Sequence, residues 1–341
     1  MPGRLTDPTT LFAPLRGAKA LGLAVSGGVD SLALMLLAAR WRDADPGAPK
    51  LFVYSVDHGL RPEAAGEVAF VLAEAARLGL PARGLRWEGD KPGTGISEAA
   101  RSARYRLIGE AMRRDGAHIL VTAHHLDDQA ETVLMRLAHG SGLAGLRGMT
   151  ALAEVEGTAV ARPLLGVSRG ELEAVVAEAG LVAVADPSND DPAYERVRWR
   201  KAMPQLAALG LDAGRLALFA ARAGEAHDAI AQMAETAIAR HAVPLADGVA
   251  MPAPVLGELP RAVLVEVVGR LLERAGGAGK RRQLARIELL SLHLQDAAAL
   301  KRTSLHGSVV ASDGTTVTFR KEPARRPRVS PQHEINREGR N

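Results

Sequence analysis

Short apolar runs alternate with helix-type patterns along the first half of the chain. The runs that predict strands are residues 21–25, 51–59, 81–87 and 117–125. The patterns that predict helices are residues 32–39, 62–78, 97–114 and 126–139. Because strands that alternate with helices form βαβ units, we expect an α/β fold with a doubly wound parallel sheet that is covered on both faces.

Particular side chains are typical of helix starts. Pro62 suits the first position of a helix, and Ser97 is predicted to cap the helix that follows it. Ser168 and Glu171 have the spacing of a capping box, which predicts a further helix.

The pattern changes in the last third of the chain. Ala-rich helices are predicted from about Leu211, and further helices extend to Leu294 after an interruption by the proline-containing residues 244–255. Two β-type runs flank Asp313-Gly314, a pair typical of a tight hairpin turn. We therefore expect a smaller, mainly helical C-terminal region that ends in a β-hairpin.

These patterns predict three segments. Residues 1–210 form the α/β domain, residues 211–322 form the helical and hairpin region, and residues 323–341 are polar, proline-rich and predicted to be disordered.

Composition narrows the class of protein. Hydrophobic residues make up 47% of the 341 residues, which excludes global disorder. The chain has no cysteine, so disulfides, thiolate nucleophiles, zinc–thiolate sites and iron–sulfur clusters are excluded. We find no signal peptide and no apolar run long enough to span a bilayer, so we expect a cytoplasmic protein that does not bind membranes. The net charge of +4 is a mild excess that is compatible with a nucleic-acid partner.

Polar clusters follow three of the predicted strands. They are SGGVDS from Ser26, DHGLR from Asp57 and HHLDDQAET from His124. The carboxyl ends of parallel strands meet at one edge of a sheet, where ligands bind in such folds. We therefore expect these clusters to form one site.

The first cluster is a glycine-rich turn between a strand and a helix. Such a turn presents free backbone N–H groups and the positive end of a helix dipole, a combination that binds phosphate. The string has neither the Gly-Lys-Ser/Thr ending of a Walker A motif nor the GxGxxG pattern. Asp30 either holds a bridging Mg²⁺ or caps the helix. As a whole the string resembles the PP-loop of ATP pyrophosphatases, which cradles pyrophosphate while ATP is split.

Each of the other clusters allows more than one interpretation. Asp128 and Glu131 lie three residues apart on one helix face beside Thr132, where they serve either chemistry or the helix N-terminus. A metal site of histidines and carboxylates is a further alternative for this cluster. Residues 194–201 combine basic and aromatic side chains, which suits RNA but also an exposed helix start.

Six strings occur together in one order. They are SGGVDS, DHGLR, ARYR from Ala103, HHLDDQAET, RPLL from Arg162, and DPSNDD from Asp186 followed by Arg196 and Arg200. In this combination the chain resembles the tRNA(Ile)-lysidine synthetase family. The resemblance implies the adenine nucleotide alpha hydrolase-like fold, and a ligase that uses ATP and Mg²⁺. It also implies that lysine is joined to C2 of the wobble cytidine of CAU-anticodon tRNA(Ile), through an adenylated cytidine, with release of AMP and pyrophosphate.

The resemblance and the chemistry of this reaction together assign roles to residues. The expected catalytic residues are Asp30, Asp128, Glu131 and His124. The expected ATP-binding residues are Ser26, Gly27, Gly28, Val29, Asp30, Ser31, Asp57 and His58, with Asp30 as the metal ligand. The expected contacts to lysine, cytidine or tRNA are Arg61, Arg104, His125, Asp127, Asp128, Glu131, Thr132, Asn189, Arg196 and Arg200.

The chain departs from the family pattern at two positions. Val197 replaces a frequent asparagine, and His306 stands where a glycine is usual. The resemblance is thin beyond about residue 215, where basic runs such as 280–282 and 301–302 are compatible with RNA backbone contacts or with ordinary surface charge. Two alternatives stay open: another PP-loop tRNA-modifying enzyme, or an ammonia-dependent amidating ligase. A homodimer through the helices after residue 211 also stays open.

Overall fold

The computed structural model describes residues 7–184, 191–276, 283–295 and 300–323. The chain forms two compact units that divide between Gly224 and Glu225, within a long helix. The sequence predicts a domain boundary before this helix, at residues 210/211. That division into functional domains stays a prediction. The predicted disordered tail lies outside the described residues, apart from Pro323.

The first unit contains a mixed sheet and the helices around it. Its strands are β1 (Ala20–Ala24), β2 (Lys50–Asp57), β3 (Ala82–Arg86), β4 (Ile119–Val121), β5 (Leu152–Val155) and β6 (Thr158–Ala161). Its helices are α1 (Pro8–Phe12), a short 3₁₀-helix (Ala13–Leu15), α2 (Val29–Ala44), α3 (Ala64–Arg77), α4 (Ile96–Asp115), α5 (Leu126–Ala138), α6 (Leu143–Leu146), α7 (Arg169–Glu178) and α8 (Glu195–Ala208). Helix α9 (Ala213–His241) contains the boundary between the units.

The strand order of this sheet is β3-β2-β1-β4-β6-β5. All neighbouring pairs are parallel except β5 and β6, which form an antiparallel pair at the edge. Strand β1 is central, and its Leu21 pairs with Leu51 on one side and with Ile119 on the other. The predicted doubly wound α/β sheet is therefore confirmed, with the β5–β6 pair as an addition that the sequence pattern did not indicate.

Both faces of the sheet are covered by apolar side chains. Leu21 and Leu23 of β1 belong to a core that includes the apolar residues of α2 and α7. Ala20, on the other face, belongs to a core with Tyr105 and Met112 of α4. The alternation along β1 follows from the two-residue period of a strand.

The structure confirms the predicted helix start at Ser168 but not the one at Ser97. The capping box is confirmed, because Ser168 N–H donates to Glu171 Oε2 at 2.9 Å and Glu171 N–H donates to Ser168 Oγ at 3.4 Å. The Ser97 cap is wrong: α4 begins at Ile96, and its N-cap is Gly95 with a φ of +67°. Gly95 adopts this left-handed conformation without strain, so the helix begins one residue earlier and Ser97 lies inside its first turn.

The second unit packs helices against an antiparallel sheet. Its strands are β7 (Val243–Leu245), β8 (Gly248–Pro252), β9 (Leu300–Leu305), β10 (Ser308–Ser312) and β11 (Thr316–Lys321), and its helices are α10 (Ala253–Glu258), α11 (Arg261–Gly276) and α12 (Leu284–Gln295). The strand order is β7-β8-β11-β10-β9. The predicted hairpin at Asp313-Gly314 is present between β10 and β11. It belongs to a larger sheet, because the proline-containing interruption supplies β7 and β8.

His306 occupies a turn position that usually favours glycine. His306 and Gly307 have φ angles of +54° and +74° and join β9 to β10, as a two-residue hairpin turn requires. His306 Nε2 accepts a hydrogen bond from the backbone N–H of Gln283 at 3.1 Å. This contact offsets part of the strain of a non-glycine residue at positive φ.

No helix in the described ranges combines the length and the apolar character that a membrane crossing requires.

Gly22 is a point of close approach between the sheet and α4. A Cβ at this position would lie 2.8 Å from Tyr54 Cε2 and 3.1 Å from Met112 Cγ, so we expect Gly22→Ala to destabilise the protein by about 1–3 kcal/mol through overpacking. Chemical denaturation followed by circular dichroism measures the change.

The exposed helical residue Gly66 provides the matched control. A Cβ there meets nothing within 4 Å, so Gly66→Ala is expected to stabilise α3 by up to about 1 kcal/mol. Equal effects of the two substitutions would contradict the packing argument.

Candidate active site

The carboxyl ends of β2, β1, β4 and β6 lie side by side along one edge of the sheet. Strand β1 continues into the loop of residues 25–28, β2 ends at Asp57, β4 is followed by Thr122–His125, and β6 is followed by Arg162. The chain order reverses between β1 and β4, and ligands bind at such switch points in α/β sheets. This edge is therefore the candidate active site.

The loop between β1 and α2 is held by its own polar groups. Ser31 Oγ accepts a hydrogen bond from Ser26 N–H at 3.1 Å and donates one to the Gly28 carbonyl oxygen at 2.9 Å. Gly27 has a φ of +90°, and its carbonyl accepts from Val184 N–H at 3.0 Å. Gly28 is the N-cap of α2 and has no side chain with which to cap the helix. The helix dipole and the backbone N–H groups of the first turn are therefore available to an anion.

Asp30, in the first turn of α2, has one engaged oxygen and one free oxygen. Its Oδ2 lies 3.7 Å from His125 Nε2, whereas Oδ1 is buried and has no hydrogen-bond partner among the described residues. Burial by itself raises the pKa of this carboxyl group, but the contact with His125 and the charge of that ring outweigh it and lower the pKa. Asp30 is therefore an ionised carboxylate with an oxygen left for a ligand.

The carboxylate of Asp30 has the chemistry of a ligand that would hold a magnesium ion. Mg²⁺ prefers carboxylate oxygens and keeps several positions for water and phosphate. The described residues contain no group of three or more His, Cys, Asp or Glu side chains that could hold a metal ion alone. The alternative of a histidine-and-carboxylate metal site therefore has no geometric support within the described ranges.

His125 is a buried imidazole surrounded by carboxylates. Its Nε2 lies 3.7 Å from Asp30 Oδ2 and 3.4 Å from Asp128 Oδ2, and its Nδ1 lies 3.4 Å from Asp127 Oδ2. Burial lowers the pKa of a histidine, but the close contacts with the carboxylates of Asp127 and Asp30 and the charge of Asp128 outweigh it and raise the pKa of His125 to about 10. The ring is therefore positively charged at neutral pH.

The charge of His125 settles which contact its Nδ1 makes. A neutral ring would accept the backbone N–H of Asp127 at 3.2 Å, whereas a protonated ring donates from Nδ1, so the two contacts exclude each other. The surrounding carboxylates favour the protonated ring, with its proton directed towards Asp127 Oδ2. The helix start keeps one side-chain cap in either state, because His125 N–H donates to Asp128 Oδ2 at 3.2 Å.

His124 is electrically the opposite of its neighbour. Its Nδ1 lies 2.8 Å from Thr122 Oγ1. Burial lowers the pKa of His124 to about 4, and the charges of Arg162 and Arg196 act in the same direction while Asp128 opposes them. His124 is therefore a neutral ring at the same strand end at which His125 is a cation.

His58 is also neutral and has an unused hydrogen-bonding atom. Burial and the charge of Arg104 lower its pKa to about 4. Its Nε2 lies 3.4 Å from Arg104 Nη2, and because a guanidinium only donates, this nitrogen accepts and Nδ1 carries the proton. The Nδ1 atom is buried and has no partner among the described residues.

Arginines of α8 face the acidic residues of α5. Arg200 Nε donates to Glu131 Oε1 at 2.8 Å, and Arg196 Nη1 donates to Asp128 Oδ1 at 3.0 Å. Arg196 Nη2 also donates to Thr132 Oγ1 at 3.2 Å. Glu131 is 1% exposed, so this carboxylate is enclosed by the arginines. Asp128, Glu131 and Thr132 thus share one helix face, as their spacing predicts.

The remaining sequence-predicted residues have other partners or positions. Asp57 Oδ1 accepts from Gly59 N–H at 2.7 Å, and Asp127 Oδ2 accepts from Arg169 N–H at 2.9 Å. Arg61 pairs with Glu67 at the start of α3.

Asn189, Val29 and Val197 are the remaining positions that the sequence singled out. Asn189 lies outside the described residues, and Val29 is the first residue of α2. Val197 is buried in α8 and carries no polar side-chain atom, so it cannot replace the amide of the frequent asparagine.

Sequence reasoning missed Thr122 and Arg162 as members of this edge. Both adjoin strand ends, since Thr122 N–H donates to the carbonyl oxygen of Ala161, the last residue of β6, at 3.0 Å. Arg162 begins the RPLL string of the family pattern, but that string carried no site role, and the β-type run of residues 158–161 before it is too short to place it at a strand end.

Comparison with known proteins identifies the class of this fold. The family model of the PP-loop domain matches residues 5–206. A solved structure of the U34-tRNA thiolase NcsA from Methanococcus maripaludis is similar with a TM-score of 0.52 and 16% identity, over 64% of this chain and 76% of that one. The fold and the site thus define an ATP-binding protein of the PP-loop class.

Curated relatives narrow the class further. The chain is 46% identical over 337 residues to the tRNA(Ile)-lysidine synthase of Rhodopseudomonas palustris, which covers 95% of this chain and 96% of the relative. It is 43% identical to the tRNA(Ile)-lysidine synthase of Bradyrhizobium diazoefficiens over 93% of both chains. The chain belongs to the tRNA(Ile)-lysidine synthase family, and the resemblance seen in its motifs is confirmed.

The raised pKa of His125 links the stability of the protein to pH. Because the folded pKa of about 10 exceeds the ordinary value of 6.5, the stabilisation is complete below about pH 6.5 and is lost as the pH rises through 10. We expect the difference in free energy of unfolding between wild type and His125→Gln to shrink steadily from pH 6.5 to pH 10.

Denaturant unfolding at several pH values measures this difference. The control is His293→Gln, since His293 lies exposed on α12 of the second unit. A pH-independent difference for the His125 variant would contradict the charged state of the ring.

Proposed function

We propose that this protein uses ATP to join the ε-nitrogen of lysine to C2 of the wobble cytidine in the CAU-anticodon isoleucine tRNA. The observation that carries the proposal is the 46% identity, over 95% of the chain, to a relative named tRNA(Ile)-lysidine synthase. The polar edge at the ends of β1, β2 and β4 supports it, because it combines an anion-binding loop with ionised carboxylates and arginines.

The first step activates the cytosine. Its C2 oxygen attacks the α-phosphorus of ATP, a new P–O bond forms, and the bond to the β-phosphate oxygen breaks with release of pyrophosphate. The loop of residues 26–31 is suited to the pyrophosphate, since its helix N-terminus and serine hydroxyls are oriented before the ligand arrives. We assign ATP contacts to this loop and to Asp57 and His58 at the adjacent strand end.

Asp30 is the residue that we assign to a magnesium ion. Its buried Oδ1 lacks a partner among the described residues, and the carboxylate would otherwise repel the phosphates beside it. When bound, the ion supplies charge neutralisation for the departing pyrophosphate. Asp30 also holds His125 in place as a cation, which counters the negative charge of the carboxylates that line this edge.

The second step requires a free amine. The ε-ammonium of lysine has a pKa of about 10.4, so it must give up a proton before its nitrogen attacks C2 and AMP leaves. We assign Asp128 to binding the ammonium, because its carboxylate retains some exposure and lies at the start of α5. His124, a neutral ring close enough to Asp128 for its pKa to respond, is our candidate for passing the proton on.

Glu131 is better suited to positioning than to proton transfer. Its carboxylate is buried and held by Arg200 at 2.8 Å and by Arg196 at 3.7 Å. We propose that Glu131 fixes these guanidinium groups, which then hold phosphates or the cytosine. Arg104 and Thr132 are assigned to the RNA side of the same site, and Asn189 remains a sequence-based assignment.

The second unit is proposed to bind the stems of the tRNA. Its basic run 280–282 and the side chain of Lys301 lie outside the part of the chain that the structure describes in detail, so this assignment is based on composition alone. A homodimer and a cytoplasmic location likewise stay predictions from the sequence.

Incorporation of labelled lysine into unmodified isoleucine tRNA tests the proposal. With ATP and Mg²⁺, wild type should transfer the label, and Asp30→Asn should lose about 100-fold or more of the rate because the phosphate charge is no longer neutralised. The matched control is Asp43→Asn, an exposed position on the same helix that is paired with Arg42.

Two further measurements separate the alternatives. Ammonia offered in place of lysine would be the preferred nucleophile of an amidating ligase. Formation of AMP and pyrophosphate with tRNA, but without lysine transfer, would indicate another PP-loop tRNA-modifying enzyme and would overturn the assignment of lysine.

The pair Glu131–Arg200 gives a prediction about stability and positioning. Arg200→Gln leaves a buried carboxylate with one arginine fewer, and we expect a loss of about 1–3 kcal/mol in unfolding free energy together with a lower rate. The double variant Glu131→Gln/Arg200→Gln should lose less than the sum of the single variants, since neither charge is then left alone. Additive losses in both quantities would contradict a direct interaction.

A further inference from the structure

Arg162 lies at the candidate site, but the proposed reaction assigns it no role. It follows the last residue of β6, which pairs in parallel with β4, so it lies beside the strand end that carries His124. The electrostatic influence of Arg162 on His124 agrees with this placement.

The guanidinium of Arg162 is buried and has no carboxylate partner among the residues that the structure describes. The residue is 6% exposed, and its Nη1 donates to the carbonyl oxygen of Thr150 at 2.9 Å. Within the described ranges, its Nε is buried without a hydrogen-bond partner, and no acidic side chain forms an ion pair with it. A buried charge without a partner costs stability, and a ligand of opposite charge would offset that cost.

The charged residues around His124 indicate which charges a ligand at this position would carry. Asp128 is the negative group that acts on this ring, while Arg162 is a positive group that acts on it as well. Among the described residues, Arg101 and Arg136 also act on Arg162, and both add positive charge to its surroundings. A ligand with an ammonium at one end and a carboxylate at the other matches this arrangement.

We infer that Arg162 binds the α-carboxylate of the incoming lysine, while Asp128 receives its ε-ammonium. The inference rests on the proposed function and names a residue for substrate selection. The guanidinium donates from the unpartnered Nε to one carboxylate oxygen, a charge-assisted hydrogen bond that an amide or a lysine side chain at position 162 reproduces only in part. A carboxylate of lysine and a phosphate of the tRNA are both oxyanions that Arg162 could bind. The test must therefore distinguish these two ligands.

Steady-state kinetics with Arg162→Gln and Arg162→Lys test the inference. For Arg162→Gln we expect the KM for lysine to rise about 10–100-fold, the range of a charged hydrogen bond, with the KM for tRNA unchanged. Arg162→Lys should recover part of the loss. Lysinamide, which lacks the carboxylate, should be a poor substrate for wild type, and Arg162→Gln should discriminate far less between lysine and lysinamide.

The control is Arg40→Gln, an exposed position on α2 that is paired with Glu178. Thermal unfolding of each variant identifies a general loss of folding, which would lower kcat with every substrate and leave the preference for lysine over lysinamide intact.

Three results would overturn the inference. Unchanged KM values in an active Arg162→Gln variant would show that the residue binds no substrate anion. A raised KM for tRNA with a salt dependence reduced by about one ion would assign the residue to an RNA phosphate instead. If wild type transfers no lysine, the proposed function fails. Calorimetric titration with lysine then still tests the role of Arg162 separately. Equal affinity of wild type and Arg162→Gln for lysine, or no binding by either, overturns that role.

Discussion

The parallel pairing of β1 with β2 on one side and β4 on the other is the constraint on which the site depends. It brings the ends of strands that are far apart in the chain to one edge, and it reverses the chain order between β1 and β4. Close packing supports this arrangement, because Gly22 lets Tyr54 and Met112 approach the central strand. A shift of β1 by one residue would exchange its two faces and move the loop of residues 25–28 away from His125.

Charge compensation is the second principle of the site. His125 is a cation because three carboxylates surround it, and it keeps the pKa of Asp30 and Asp127 low in turn. A carboxylate beside a phosphate-binding loop would otherwise repel its ligand. The arginines of α8 compensate the charges of Asp128 and Glu131 in the same way, so acidic and basic groups coexist within one edge.

Several features of the fold and the site were predictable because they have local causes. The capping box at Ser168, the shared face of Asp128 and Glu131, and the hairpin turn at Asp313 each follow from side chains within a few residues of one another. The misplaced cap at Ser97 has a local cause as well, since a glycine at positive φ competes with a serine for the start of the helix.

Other features were not predictable because their causes lie far apart in the sequence. Strands β5 and β6 are four residues each, and β7 and β8 contain prolines, so only pairing with a neighbouring strand makes them strands. The same is true of charge: His124 and His125 are adjacent and chemically identical, yet one ring is neutral and the other is a cation.

The sequence by itself determined the alternation of strands and helices, the polar clusters at strand ends and, through the motifs, the family. The tertiary structure decided which of those polar groups meet, which are buried and what charge they carry. The physical reason is that pKa and hydrogen bonding depend on burial and on neighbours across the sheet edge, as for Arg162 beside His124, and no spacing along the chain contains that information.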